Sequence, residues 1–154
     1  MTAVLIALLS CQPSAPQTVA HWLTSQRHMP AAEAKAVANQ IVYCANLTEL
    51  DPFVLAALID VETGETWRQS TKGRAGERSV CQFLRSTARS CGYDWGRICR
   101  DRDYAILCGA YYLAGQKGSI REKLCRYNGG PAGPRKARCR RYAETVLRKA
   151  KRMR

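Results

Sequence analysis

The chain is poor in the residues that build metal centres. Histidine occurs only at positions 21 and 28, and the cysteines form no CxxC pair, so the usual zinc spacings are missing. Neither a zinc-finger spacing nor an RNA-binding aromatic motif accompanies the many basic residues, which argues against nucleic acid as the partner. Beyond the first residues no apolar run approaches the roughly 20 residues that span a bilayer, which predicts a soluble body. From Pro30 onward no stretch keeps the period-2 alternation of a half-buried strand. No internal repeat and no second domain is visible.

What is present fits one globular unit. The chain has 154 residues, 46% of them hydrophobic and 24% charged, enough to bury a core without a stabilising metal and too apolar for a disordered segment. Lys and Arg outnumber Asp and Glu by 25 to 12. That excess is one-ended: Lys117 to Arg154 holds 14 basic residues against Glu122 and Glu144, a net +12, while the preceding 116 residues carry a net +1. Such a field attracts an anionic polymer or surface, whether nucleic acid, anionic lipid or bacterial cell wall. The closing "VLRKAKRMR" also reads as a solvated basic tail.

Eight cysteines, at 11, 44, 81, 91, 99, 108, 125 and 139, are many for a cytosolic enzyme of this size. They suggest disulfides in an oxidising compartment, with Cys91 and Cys99 the first candidate pair. Cys81, Cys108 and Cys125 lie in apolar helical surroundings, where buried free thiols are the alternative. The opening "MTAVLIALLSCQPSAP" reads either as a signal or lipoprotein segment over 1–16, with Cys11 as the lipidated residue, or as a first helix.

Helical signals dominate the rest. "PAAEAKAVANQIVYCANLTEL" opens with a proline suited to a first turn and keeps Ala34, Val37, Ala38, Ile41, Val42 and Ala45 on one stripe. Asp51 then caps, Pro52 occupies the first turn, and Phe53 to Val61 form a helix that is apolar all round until Gly64. That pattern predicts a buried central helix. A polar loop, "RQSTKGRAGERS", follows, then a short helix near Val80 to Cys91, an irregular "GYDWGRICRDRD", a helical "YAILCGAYYLAG" and a helix over about 120–127 that ends at "NGGPAGP". "RCRRYAETVLRKAKRMR" closes the chain as a basic amphipathic helix.

Glu62 stands out because it follows Leu55, Leu58 and Ile59 at helical spacing and so projects from an apolar face. Desolvation disfavours its carboxylate, and the negative end of the helix dipole acts in the same direction. A carboxyl held protonated near neutral pH is what a general acid requires. A buried Glu satisfied by an Arg or Tyr is the plain alternative. Asp60 points to the opposite side, and Glu65 lies beyond the breaker.

At this point the sequence resembles the lytic transglycosylases of the goose-type lysozyme superfamily. "DPFVLAALIDVET" resembles that family's helix ending in catalytic Glu-Ser, with Glu62 in the catalytic place and Thr63 for the serine. "GERSVCQFLRSTA" resembles the pattern GxxGLMQxxPxTA through Gln82, Thr87 and Ala88. "ILCGAYYLAG" resembles the following helix, "RYNGGP" resembles AYNxGP through Tyr127, Asn128, Gly130 and Pro131, and "RYAETVL" offers Tyr142 as the late tyrosine. The match runs from about Ala31 to Leu147. Ser79, Cys81 and Arg85 depart from the pattern's glycine, methionine and proline, and a serine at 79 is expected either to narrow the sugar groove or to change which subsite is filled.

The resemblance implies an all-α, lysozyme-like domain over 17–147, with 148–154 as a basic tail. It implies cleavage of the β-1,4 bond between N-acetylmuramic acid and N-acetylglucosamine with closure of a 1,6-anhydro ring, and neither metal nor cofactor. Glu62 would be acid and then base. Tyr127 and Tyr142 would orient it, Gln82 and Asn128 would hold sugar hydroxyls or the acetamido group, and Thr63 would contact the acetamido side. Implied partners are peptidoglycan strands, an anionic envelope surface met by the basic C-terminus, and a phage particle or secretion machine; the implied location is the periplasm and envelope, or a virion. A muramidase of the same fold needs a second acid to hold water, for which Asp94, Asp101 and Asp103 are candidates. A non-catalytic basic binding protein and an inactive structural relative are the other readings.

Overall fold

A computed structural model describes residues 13–154. Within them the chain forms eight α-helices and one 3₁₀ turn: α1 (Ala15–Arg27), α2 (Ala31–Leu47), α3 (Pro52–Glu62), α4 (Arg85–Ser90), α5 (Trp95–Arg100), α6 (Arg102–Ala114), α7 (Ile120–Gly129), the turn at Gly133–Arg135, and α8 (Ala137–Met153). The only β-type pairings among these residues are isolated bridges, Lys72 to Arg78 and Arg78 to Phe83. The expected all-α class is the observed one. None of these helices is long and apolar enough to cross a membrane. The segment read as a signal or as a first helix lies, through residue 12, outside the described residues.

The fold is organised round α3. Its start is fixed locally, with the Asp51 side chain accepting from Phe53 N at 2.9 Å and Pro52 in the first turn, a cap worth about 1 kcal/mol. Every residue from Val54 to Asp60 is buried, so the helix has no solvent face. Fully burying Leu55, Leu58 and Ile59 contributes about 1.5–3 kcal/mol each. The helix packs against α8, α2 and α1. Past Glu62 the backbone turns left-handed at Gly64, φ 55°, and again at Glu65, φ 71°, which stops the helix with the acidic side chain at its end.

Asp60 is the polar exception in this core. Its carboxylate has no solvent exposure and accepts from Arg27 Nε at 2.7 Å, Arg27 Nη2 at 3.0 Å, Trp67 Nε1 at 2.8 Å and Lys149 Nζ at 2.6 Å. Burial opposes its charge, but the donors from Arg27, Lys149 and Trp67 overcome that and hold the carboxyl below its ordinary range. The cluster ties α1, α3 and α8 together behind the helix that carries Glu62.

Three local differences from the sequence reading have physical causes. The helix expected from Val80 to Cys91 is confined to Arg85–Ser90, because Ser79 and Gln82 adopt φ of 72° and 49°, values no α-helix accommodates. The stretch "GYDWGRICRDRD" contains a helix after all, α5, started by Asp94 accepting from Arg97 N at 2.9 Å. All seven described cysteines are free thiols, so Cys91 and Cys99 are not paired. Cys44, Cys81, Cys108, Cys125 and Cys139 instead fill the core as small apolar side chains.

Candidate active site

Glu62 ends α3 in the wall of a small hollow of about 120 Å³, shared with Glu77, Gln82, Tyr112, Tyr127 and Asn128. Its carboxyl is partly open to that hollow and otherwise enclosed by protein. Tyr142, from the middle of α8, donates its hydroxyl to Glu62 Oε1 at 2.5 Å. Burial pushes the Glu62 carboxyl up to about 7; the Tyr142 hydroxyl works against that by favouring the ionised form, and the neighbouring negative charge of Glu77 adds to the rise. The helix end thus exposes one titratable group poised at neutral pH. Burial, and then the charge of Glu62, raise the Tyr142 phenol far above its ordinary range, so it remains a hydrogen-bond donor.

The other predicted site residues divide. Gln82 and Asn128 both line the hollow, Asn128 being exposed. The Gln82 amide donates to Thr71 O at 3.2 Å and Ser79 O at 2.7 Å, which leaves its oxygen free. Tyr127 lines the hollow too, but its hydroxyl donates to the Cys81 carbonyl at 2.7 Å rather than to Glu62. It therefore fixes the turn that presents Gln82. Thr63 faces away: its hydroxyl, almost wholly buried, donates to Ile59 O at 2.8 Å and closes the end of α3. Behind Tyr127, rings of Phe83, Tyr112 and Tyr127 meet edge to face or tilted at centroid distances of 5.3–6.4 Å and form the rigid wall of the hollow.

The departures from the motif pattern act differently from the expectation. Ser79 is fully buried, and its Oγ accepts from Cys81 N at 3.3 Å; it does not enter the hollow, so it does not narrow it. Cys81 lies against Gly109 of α6. A Cβ on Gly109 would stand 2.6 Å from Cys81 Sγ, so glycine at 109 is what lets α6 pack on this turn. Arg85 is the exposed first residue of α4.

The three candidate second acids lie elsewhere. Asp94 and Asp101 are spent as helix caps, accepting from Arg97 N at 2.9 Å and from Tyr104 N at 3.0 Å, and Asp103 lies in the first turn of α6. Asp101 and Asp103 border a different depression beside Arg100. Glu77, in the loop that carried no helical signal, is the second carboxyl of the hollow. Its position two residues before Ser79 in the "GERSVCQ" match is the signal by which it could have been found. A larger hollow of about 760 Å³ lies between α1 and the end of α8. Its one carboxyl, Glu65, is tied to Arg27 and Lys149, so it offers no free acid.

Comparison with known proteins gives one kind of answer. No family model and no curated protein sequence matches the chain. Among solved structures it is similar to the lytic transglycosylase Slt of Pseudomonas aeruginosa, in an inactive glutamate-to-glutamine mutant, with a TM-score of 0.61 and 16% sequence identity over 86% of this chain. The chain spans 28% of the length of that protein. The helical arrangement is thus similar to that of part of this protein.

Proposed function

We propose that the chain is a peptidoglycan lytic transglycosylase that opens the cell wall locally by cleaving the β-1,4 bond between N-acetylmuramic acid and N-acetylglucosamine. The observation that carries this reading is Glu62: a carboxyl with its pKa near 7, held by Tyr142 in a hollow lined by sugar-compatible amides and aromatic rings. The likeness of fold to a lytic transglycosylase supports it.

In this mechanism protonated Glu62 gives its proton to the glycosidic oxygen as the bond to muramyl C1 breaks. The positive charge that develops at C1 is met by the substrate's own acetamido group. The Glu62 carboxylate then takes the proton of the muramyl C6 hydroxyl, and that oxygen bonds to C1. Glu62 returns to its starting form without consuming water or using a cofactor. Tyr142 orients the carboxyl and stabilises it while it is ionised. Gln82, through its free oxygen, and Asn128 hold the sugar, and Tyr127 holds the turn bearing Gln82. Thr63 acts from behind, by fixing the end of α3.

The basic face of α8 supplies the affinity for an anionic wall. Arg138, Arg141, Arg148 and Arg152 recur at helical spacing along it, all exposed and without an ion-pair partner among the described residues. Peptidoglycan carries stem-peptide and lactyl carboxylates that match this stripe. The site of action is the periplasm and envelope, or a phage particle entering through them. Digesting purified sacculi and weighing the muropeptides tests the reading: anhydromuramyl ends are expected, and the absence of any released fragment would refute it.

A further inference from the structure

The mechanism above leaves Glu77 without a task, although it lines the same hollow as Glu62. Its placement is built rather than incidental. The turn from Gly73 to Glu77 closes with Gly73 N donating to Glu77 O at 3.0 Å and Gly76 N donating to Gly73 O at 3.3 Å. Glu77 Oε2 then accepts from Ala75 N at 2.9 Å, which pins one carboxylate oxygen and leaves the other free. A Cβ on Gly73 would lie less than 3.0 Å from both the Glu77 carboxyl and Gln82 Oε1. Glycine at 73 therefore leaves room for both the Glu77 carboxyl and the Gln82 amide oxygen. Among the described residues no cation pairs with Glu77, so its charge acts on the hollow.

A carboxylate with one oxygen unpinned, lining the same hollow as the acid, suits a small donor, and water is the one that changes the outcome. Glycosidases that hydrolyse with inversion use a second carboxylate as base, set about 6.5–9.5 Å from the acid so that a water fits between them. We infer that Glu77 holds and activates a water, giving this site a hydrolytic branch beside the anhydro-forming one. This inference rests on the transglycosylase reading. In the branch, the water oxygen bonds to muramyl C1 as the C1–O4 bond breaks. O4 takes the Glu62 proton, and the water gives its proton to Glu77. The product is a free reducing end, and solvent restores both carboxyls to their starting forms.

The test is digestion of purified sacculi in ¹⁸O-labelled water, with muropeptide ends counted by mass spectrometry for the parent, Glu77→Gln, Gly73→Ala and Glu62→Gln. The parent should yield both anhydro ends and labelled reducing ends. Glu77→Gln is isosteric; it should lower the labelled fraction about 100-fold, within the usual reach of a general base, and leave anhydro ends. Gly73→Ala displaces the Glu77 carboxyl, and with it the Gln82 amide oxygen, without changing any charge, and should lower the labelled fraction in the same direction. The basic limb of the rate profile should also move to lower pH in Glu77→Gln. The other titratable groups round Glu62 are Glu77, Cys81, Tyr112, Tyr127 and Tyr142, and among them Glu77 is the charge that raises the acid's pKa. A parent that makes anhydro ends alone, or a Glu77→Gln variant with an unchanged labelled fraction, overturns this inference and leaves the proposed function standing. A parent that releases no fragment overturns both.

Discussion

The hydroxyl of Tyr142 donates to Glu62 Oε1 at 2.5 Å across 80 residues of sequence. One turn pair further along the same helix, Lys149 reaches Asp60 at 2.6 Å. Helix α8 therefore grips α3 twice, once at a buried carboxylate kept charged and once at a carboxyl raised toward neutrality. The first contact places the helix, and the second tunes its end.

Removing the Tyr142 hydroxyl separates orientation from acidity. The bond favours ionised Glu62, so Tyr142→Phe raises the Glu62 pKa further above 7. The basic limb of the kcat/KM profile should move to higher pH, and kcat should fall about tenfold, the equivalent of one lost hydrogen bond to a charged group. A profile unchanged in position would show that the contact does not act on the acid.

Glu62 should cost stability where it is ionised. Its folded pKa, about 7, lies above the ordinary 4.5, so between those values the folded state binds more protons and stability falls as pH rises. The full penalty is about 3 kcal/mol above pH 7. Glu62→Gln should therefore be more stable than the parent at pH 8 by up to that amount and nearly equal to it at pH 4. Urea denaturation at the two pH values measures the difference.

The opposite sign is expected at Asp60. Its folded pKa is depressed, so its contribution is present above the ordinary carboxylate range and is lost as pH falls through the folded value. Asp60→Asn leaves Arg27 and Lys149 without their shared charge, and breaking a buried cluster in this way costs about 3–5 kcal/mol. Thermal or urea unfolding at pH 7 should show the loss, and it should shrink on acidification.

Wall binding should depend on the charge of α8 and on ionic strength. Reversing Arg148 and Arg152 to Glu should abolish retention on sacculi at low salt, where the parent is retained and then released as salt rises. Turnover of short soluble glycan fragments should be unchanged, since neither residue lines the hollow of Glu62. Equal retention of the two proteins in co-sedimentation would remove α8 from the account.

How much of this was legible depends on how local each feature is. Helix α3 was readable because its cap, first-turn proline, apolar run and terminal glycine are consecutive, and the same run marked Glu62 as an anomaly. Tyr142 was reachable only through the order of motifs, because no local pattern links it to Glu62. The Asp60 cluster draws its donors from 33 and 89 residues away, and periodicity says nothing about such pairings. The motif position of Thr63 points it toward the sugar, but a threonine at a helix end has a nearer acceptor in the carbonyl of Ile59, four residues back. Glu77 was missed because it sits in a polar turn shaped by left-handed residues, Gly76, Ser79 and Gln82, where the side-chain directions of helix and strand do not apply. Helix α5 is six residues long, too short for a stripe to show, although Asp94 supplies the cap.

The central claim is that the Glu62 carboxyl delivers the proton that breaks the sugar linkage. It is tested most directly by incubating parent and Glu62→Gln with purified sacculi near pH 6 and counting released muropeptides by mass spectrometry. The account predicts abundant anhydromuramyl fragments from the parent and at least a 100-fold loss in a variant that remains folded. Fragments released at the parental rate by Glu62→Gln would contradict it.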